Sequence, residues 1–164
     1  MELVIIAIVI IVIVGKYFIN SRVKYQKPSP ISNQKEITYD HSIIELETMS
    51  IINDYRVSVG LIPLKISGYI SYISEKHTTY MINGNFTNHN GFVDRQEDLV
   101  STLGAKRVGE NVAYNYSTAK GVLNGWLNSP THKENVIGDY THFGISIRPN
   151  LDGKKYYTNI FMKI

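Results

Sequence analysis

Cysteine is absent from this sequence of 164 residues. Its absence excludes disulfide bonds, thiolate metal sites, a cysteine nucleophile and a lipid attached through an N-terminal cysteine. It does not assign a compartment, because a chain without cysteine is compatible with reducing and oxidising surroundings alike.

A strong charge of one sign is also missing. The formal net charge is +3. Part of this excess belongs to four basic residues beside one apolar segment, namely Lys16, Arg22, Lys24 and Lys27. Cations in that place are juxtamembrane charges that can contact anionic headgroups. Basic residues elsewhere are not interleaved with aromatic residues, so we exclude nucleic acid as a partner.

Apolar residues dominate the beginning of the chain. Leu3 to Val14 is unbroken apolar sequence, and Tyr17–Ile19 extends it beyond Gly15 and Lys16. About 17 residues make a helix of roughly 26 Å, which just spans a bilayer core if the Lys16 ammonium extends to the interface. We therefore predict a transmembrane anchor over residues 1–20, a linker over 21–40 and a folded domain over 41–164. A cleavable signal peptide is the alternative, although its positive n-region and small-residue cleavage site are missing.

The folded part has the pattern of an α+β domain, with helices first and a hairpin at the end. Apolar residues at helical spacing predict helices over 41–60, with Asp40 as the cap, and over 67–82. Further helices are predicted over 93–103, up to Leu127 with either Ser117 or Thr118 as the cap, and from Ser129–Pro130 onward, with Ser129 as the cap. Strands are predicted over 107–113, 142–147 and 155–162, the last two joined by a hairpin turn at Asn150–Gly153.

Three polar residues are candidates for chemistry. Glu110 lies inside the apolar strand, where an unpaired charge would be costly. His132 falls in the first turn of a helix, where the dipole favours the neutral imidazole that acts as a base or a metal ligand. His89 lies in a loop between two asparagines. The alternatives are a solvent-facing Glu110 on an edge strand and two surface histidines. The remaining histidines, His41, His77 and His142, are interpreted as structural.

A nucleophilic triad of Ser129, His132 and Glu110 is a further interpretation. Ser129 is better explained as a helix cap, and residues three apart on one turn do not ensure the hydrogen bond that a triad needs. The sequence also contains no H-E-x-x-H zinc motif, no G-x-S-x-G elbow, no phosphate-binding loop and no calcium loop. No standard enzyme class is therefore indicated by a motif.

Several groups of residues follow one another in a characteristic order. They are Ile52–Arg56 with Gly60–Leu61 and Pro63–Leu64, then His89–Arg95, Gly109–Ala113, Trp126–Asn135, and finally Phe143–Ile145 with Tyr156–Phe161. In this order, over residues 43–164, they resemble the CAP superfamily of cysteine-rich secretory, antigen 5 and pathogenesis-related 1 proteins, also called the SCP domain. The bacterial YkwD-like branch is the most similar.

The resemblance implies a three-layer α-β-α sandwich with a cleft lined by two histidines and two acidic residues. The histidine positions fall on His89 and His132, and one acidic position falls on Glu110. Ser129 stands where the second acid would be, as is usual in the bacterial branch. Because some members bind a divalent metal between the two histidines, zinc held by His89 and His132, with Glu110 able to supply a third ligand, is the implied cofactor.

From these features we expect a membrane-anchored CAP-domain protein of the cell envelope that is a non-enzymatic binding module. Its cleft of His89, Glu110, Ser129 and His132 would take a divalent metal, a small ligand, a lipid or an envelope protein. The alternative is a metal-assisted, peptidase-like hydrolase with His132 as base and Glu110 orienting it. A third interpretation is that the polar cluster only joins helix to sheet.

The basic residues after the apolar segment would keep the domain in the cytoplasm by the positive-inside rule. Extracytoplasmic placement is instead what the resemblance implies. We follow the resemblance and expect a single-pass membrane protein, anchored by the apolar segment, with an extracytoplasmic domain.

Overall fold

The computed structural model describes residues 38–164, so the predicted anchor and most of the linker lie outside the described residues. No helix within this range combines the length and the apolar character needed to cross a bilayer. The elements are, in chain order, α1 (Ile43–Ser58), β1 (Lys65–Ile66), α2 (Gly68–Gly84), α3 (Phe92–Leu103), β2 (Arg107–Tyr114), α4 (Ala119–Leu127), α5 (Pro130–Val136), β3 (His142–Pro149) and β4 (Lys155–Lys163).

Capping side chains set most of the helix starts, and one predicted cap is wrong. The cap of α1 is Ser42 and not Asp40, because Glu45 three residues later completes a capping box by accepting the Ser42 N–H at 2.7 Å. Ser129 holds the cap position of α5 with Pro130 at the first helical residue, as predicted. Its hydroxyl nevertheless makes no cap hydrogen bond and lies 3.5 Å from the Thr131 hydroxyl.

The sheet has the strand order β1-β3-β4-β2. β1 runs parallel to β3, and the other pairs are antiparallel. The sequence does not predict β1, because two residues are too few to show an alternating pattern. The predicted β3–β4 hairpin is confirmed. β2, which carries Glu110, is therefore an edge strand with one partner, β4.

Helices cover both faces of this sheet, which confirms the predicted three-layer sandwich. On one face, alternate residues of β3 and β4 pack against α1, α4 and α5 around Met49, Ile52, Trp126, Val136, Phe143, Ile145, Tyr157 and Phe161. On the other face, residues of β4 pack against α2 and α3 around Ile70, Ile73, Leu99, Ile160 and Met162. The period of two along each strand therefore separates two apolar cores.

A close approach between α2 and β3 fixes the position of α2 on the sheet. The Ser71 hydroxyl accepts the Ile145 N–H at 3.1 Å. A Cβ on Gly144 would lie 2.7 Å from the backbone carbon of Ile70 and would overlap the backbone nitrogen of Ser71. Only glycine therefore lets the helix come this near. The same helix carries His77, so this contact also positions one wall of the candidate site.

Candidate functional site

Glu110 is buried although it lies on an edge strand. Its side chain is 1% exposed. In the strand register Glu110 stands opposite Ile160, and Ile160 belongs to the core formed with α2 and α3. The carboxylate is therefore covered by these two helices, and the alternative of a solvent-facing Glu110 is wrong.

Arg95 of α3 is the main partner of this carboxylate. Its Nε donates to Glu110 Oε2 at 2.7 Å and its Nη2 to Oε1 at 2.8 Å, while Nη1 donates to the Asn90 carbonyl at 2.9 Å. Two parallel bonds of this kind are the strong, geometrically specific form of the Arg–carboxylate pair. Sequence reasoning assigned no role to Arg95. The available signal was the requirement that a buried carboxylate have a nearby cation.

His89 completes the coordination of Glu110 from the loop before α3. Its Nδ1 lies 2.8 Å from Glu110 Oε1. Since an ionised carboxylate only accepts hydrogen bonds, Nδ1 carries a proton, and the tautomer that this contact selects has its lone pair on Nε2. The His89 side chain is 48% exposed, and it lines a cavity of about 330 Å³ together with Phe92, Val108, Gly109, Glu110 and Asn135.

The Glu110 carboxyl remains ionised despite its burial. Burial raises the pKa of the Glu110 carboxyl, but the hydrogen bonds from His89 and Arg95 and the positive charge of Arg95 outweigh it, so the pKa lies below its usual value. The site therefore holds a fixed negative charge that orients the His89 ring.

His132 reaches the edge strand from the opposite layer. Its helix, α5, is held against β2 by Asn111, whose Nδ2 donates to the His132 carbonyl at 2.9 Å, and by Asn135, whose Nδ2 donates to the Glu110 carbonyl at 3.1 Å. Burial lowers the pKa of the His132 imidazole and the neighbouring His89 lowers it further, so the neutral form of the ring is favoured. Its side chain forms no hydrogen bond within residues 38–164.

The predicted site residues are thus only partly brought together. His89 and Glu110 are in direct contact, and His132 interacts electrostatically with His89. Between residues 38 and 164, neither Glu110 nor His132 forms a side-chain hydrogen bond with Ser129, and no hydrogen bond joins Glu110 to His132. The contacts of a Ser129–His132–Glu110 triad are therefore not formed.

His77 of α2 belongs to the site although its spacing suggested only a structural role. The residue is 2% exposed, and its Nε2 lies 2.8 Å from the Asn88 carbonyl and 3.9 Å from Glu110 Oε1. Burial lowers the pKa of His77 more than the charge of Glu110 raises it. The sequence placed His77 on the same helix side as Ile70 and Ile73, which indicated burial but no polar partner.

The side-chain atoms that remain free at the site determine whether it could hold a metal ion. Residues 38–164 contain no cluster of three or more His, Cys, Asp and Glu side chains arranged to hold a metal. Both Glu110 oxygens are engaged by Arg95 and His89. The donors that remain are Nε2 of His89 and a ring nitrogen of His132. Glu110 has the position of an outer partner that fixes the tautomer of a ligating histidine.

Comparison with known proteins gives a consistent family. Residues 49–161 match the family model described as CAP, the cysteine-rich secretory protein family. The membrane protein YlbC of Bacillus subtilis is 30% identical over 84% of this chain, and YkwD of the same species is 28% identical over 72%. The chain spans about two fifths of the length of these relatives, 39% and 44% respectively.

Solved structures show the same fold. An outer surface protein from Borrelia burgdorferi superposes with a TM-score of 0.64 at 23% identity, over 75% of this chain and 97% of its own. An extracellular protein containing an SCP domain from Bacillus anthracis has a TM-score of 0.63 at 25% identity, over 73% of this chain and 40% of its own.

Proposed function

Because the chain belongs to the CAP family, we propose that it is a non-enzymatic binding module of the cell envelope, with a cleft at His89 and His132 that takes a small ligand or a divalent metal such as zinc. The observation that supports this most is the 2.8 Å contact between His89 Nδ1 and Glu110, which holds one imidazole with its other nitrogen available.

The electrostatics of the cleft suit such a ligand. Metal-binding histidines are neutral, and a carboxylate on the second ring nitrogen raises the basicity of the ligating one. His132 has a lowered pKa and His89 has Glu110 on Nδ1. A bound metal would supply positive charge to attract a further ligand, with open positions left by a two-histidine donor set.

The enzymatic alternative has less support from the geometry. A metal-assisted hydrolase with His132 as base would need a group that orients His132, and Glu110 is engaged by His89 and Arg95 instead. Among the described residues, the Ser129 hydroxyl has a hydrogen-bond partner only in the Thr131 hydroxyl, at 3.5 Å. We therefore favour a binding function over a hydrolytic one.

Zinc uptake tests the proposal. We expect the metal-free chain to take up about one zinc per chain, as measured by elemental analysis after equilibrium dialysis, since His132 has a lowered pKa and Glu110 orients the His89 tautomer. His89→Ala and His132→Ala should each reduce the bound zinc to background.

His142→Ala is the matched control, because His142 is a partly buried histidine at the start of β3 whose Nδ1 is paired with the Thr141 hydroxyl. Its zinc content should equal that of the unmodified chain. Zinc binding that survives both cleft substitutions, or no uptake by the unmodified chain, would count against the metal site.

We also propose that the domain lies outside the cytoplasmic membrane, held by residues 1–20. The apolar run Leu3–Val14 supports an anchor. The relative YlbC is named a membrane protein, and structurally similar proteins are named as outer-surface and extracellular proteins. The basic residues after the apolar run favour the opposite orientation.

Protease treatment of intact cells distinguishes the two orientations. We expect an epitope tag placed after Ile164 to be lost from shaved cells, because the domain is accessible from outside. A cytoplasmic protein should be protected in the same sample, and both should be digested after the membrane is opened. Protection of the tag in intact cells would overturn the extracytoplasmic placement.

A further inference from the structure

A second cavity adjoins the Glu110 cluster. Its volume is about 350 Å³, and it is lined by Lys76, His77, Tyr80, Asn90, Gly91, Asp94 and Arg95. It shares no lining residue with the cavity at His89. Arg95, which binds Glu110, forms part of its wall. The cavity is therefore a separate space beside the candidate metal cleft.

A buried histidine offers an unused hydrogen-bond acceptor in this wall. His77 is 2% exposed, and its Nε2 must carry the proton because the Asn88 carbonyl 2.8 Å away can only accept. Nδ1 then holds a lone pair, and no group within residues 38–164 donates to it. A ligand that donates a hydrogen bond to Nδ1 would satisfy this acceptor.

An aromatic surface stands next to this acceptor. The Tyr80 ring stacks on the His77 ring at 5.7 Å between centroids and 21° between planes, and it contacts the Phe86 ring at 5.0 Å. Tyr80 is 43% exposed and Phe86 37% exposed. The Tyr80 hydroxyl accepts from Asn90 Nδ2 at 3.4 Å, which leaves its own proton free to donate. The cavity therefore combines a flat apolar face with both a donor and an acceptor.

The charges around the cavity favour a neutral ligand. Arg95 is neutralised by Glu110, and the Lys76 ammonium lies 4.4 Å above the centre of the Tyr72 ring. Asp94 supplies one carboxylate at the rim. No excess of either sign remains to select an anion or a cation. Polar hydrogens on the ligand would find acceptors at His77 Nδ1 and Asp94, while its apolar face would pack on Tyr80.

We propose that this cavity binds a neutral carbohydrate ring, with one face stacked on Tyr80 and a hydroxyl or amide N–H donated to His77 Nδ1. A sugar ring presents C–H groups on its faces and hydroxyls on its rim, which is the pattern that an aromatic face with a few oriented polar groups recognises. The inference goes beyond the proposed metal site and does not depend on it.

The probes are two trisaccharides. Cellotriose carries hydroxyl groups alone, and tri-N-acetylchitotriose carries hydroxyl and acetamide groups. The full-length chain is kept in a polyoxyethylene detergent, because a detergent with a sugar headgroup would compete. Saturation-transfer NMR at about 10 mM sugar detects even weak binding, near a Kd of about 1 mM. We expect at least one trisaccharide to bind, and binding should move the ¹⁵N signal of His77 Nδ1.

Tyr80→Ala should raise the Kd for the sugar about tenfold, because an aromatic contact of this kind contributes about that much to the affinity. Tyr80→Phe keeps the ring and should lose less. Tyr114→Ala is the matched control, since Tyr114 is 42% exposed on β2 and its ring contacts Tyr156 at a tilt of 56° instead. Its affinity should equal that of the unmodified chain.

Absence of binding by both trisaccharides, or unchanged affinity in Tyr80→Ala, would overturn the carbohydrate site. Tyr80→Ala should retain its zinc, and His132→Ala should retain its sugar affinity. A loss of zinc binding alone therefore contradicts only the proposed metal cleft, and a loss of sugar binding alone contradicts only this inference.

Discussion

Glu110→Ala should lower the free energy of unfolding by about 3–5 kcal/mol, because it leaves the Arg95 guanidinium largely buried without its carboxylate. The Arg95 side chain is 11% exposed, and two of its three nitrogens donate to Glu110. The loss should be measured by urea unfolding followed by circular dichroism. A combined Arg95→Met and Glu110→Ala variant should be more stable than the sum of the two single losses predicts, since both charges are then removed.

Glu75→Ala is the control for this substitution. Glu75 pairs with Arg148 at 2.7 Å, the same distance as the Glu110–Arg95 pair, but its side chain is 36% exposed and Arg148 keeps a second carboxylate in Glu45. A solvent-exposed pair contributes about 0–1 kcal/mol. If Glu110→Ala cost no more than Glu75→Ala, the Arg95–Glu110 pair would not hold the site together.

Gly144→Ala should destabilise the domain by about 3 kcal/mol, near the upper end for overpacked cores. The added methyl group would collide with backbone atoms of Ile70 and Ser71. The backbone of a packed helix cannot relax by changing rotamer, as a side chain can. The shift would also disturb the Asn159 amide that donates to the Gly144 carbonyl at 2.9 Å. Thermal unfolding monitored by circular dichroism should show a lower Tm.

Gly121→Ala is the matched substitution at a glycine inside α4. There the new Cβ would meet the Thr118 hydroxyl at 3.1 Å, which is the end of a side chain. Alanine also favours the helix over glycine by about 1 kcal/mol, which offsets this contact. A Gly144→Ala variant as stable as Gly121→Ala would show that α2 can move away from β3 without loss.

Local patterns were sufficient to predict most of the fold. Helical spacing predicted that α2 begins near Ser67, Ser117 and Thr118 were the two candidate caps of α4, of which the structure has Thr118, and the alternating residues before and after Asn150–Gly153 predicted the hairpin. These features depend on neighbours within a few residues. The prediction of Asp40 as a cap was wrong for an equally local reason, because Ser42 and Glu45 form the capping box two residues further on.

The partners of Glu110 could not be predicted in this way. Arg95 and His89 lie 15 and 21 residues away in sequence, and they meet the carboxylate only because α3 packs on the sheet after the turn at Gly91, whose φ of 71° is left-handed. The helical spacing of His77 indicated that its side chain is buried, but it did not show whether the neighbouring group is apolar or a carboxylate. Such contacts depend on how layers pack, and a one-dimensional pattern does not contain that information.

The position of β4 has a consequence for how the chain is made. This strand lies between β3 and β2 in the sheet, yet it follows both in sequence. At usual rates of synthesis, roughly 2–10 s pass between completion of β2 and completion of β4. During that interval the apolar strand that carries Glu110 has no partner, and the long-range pairing that completes the sheet is intrinsically slow. The nascent domain therefore remains incompletely folded until β4 has been synthesised.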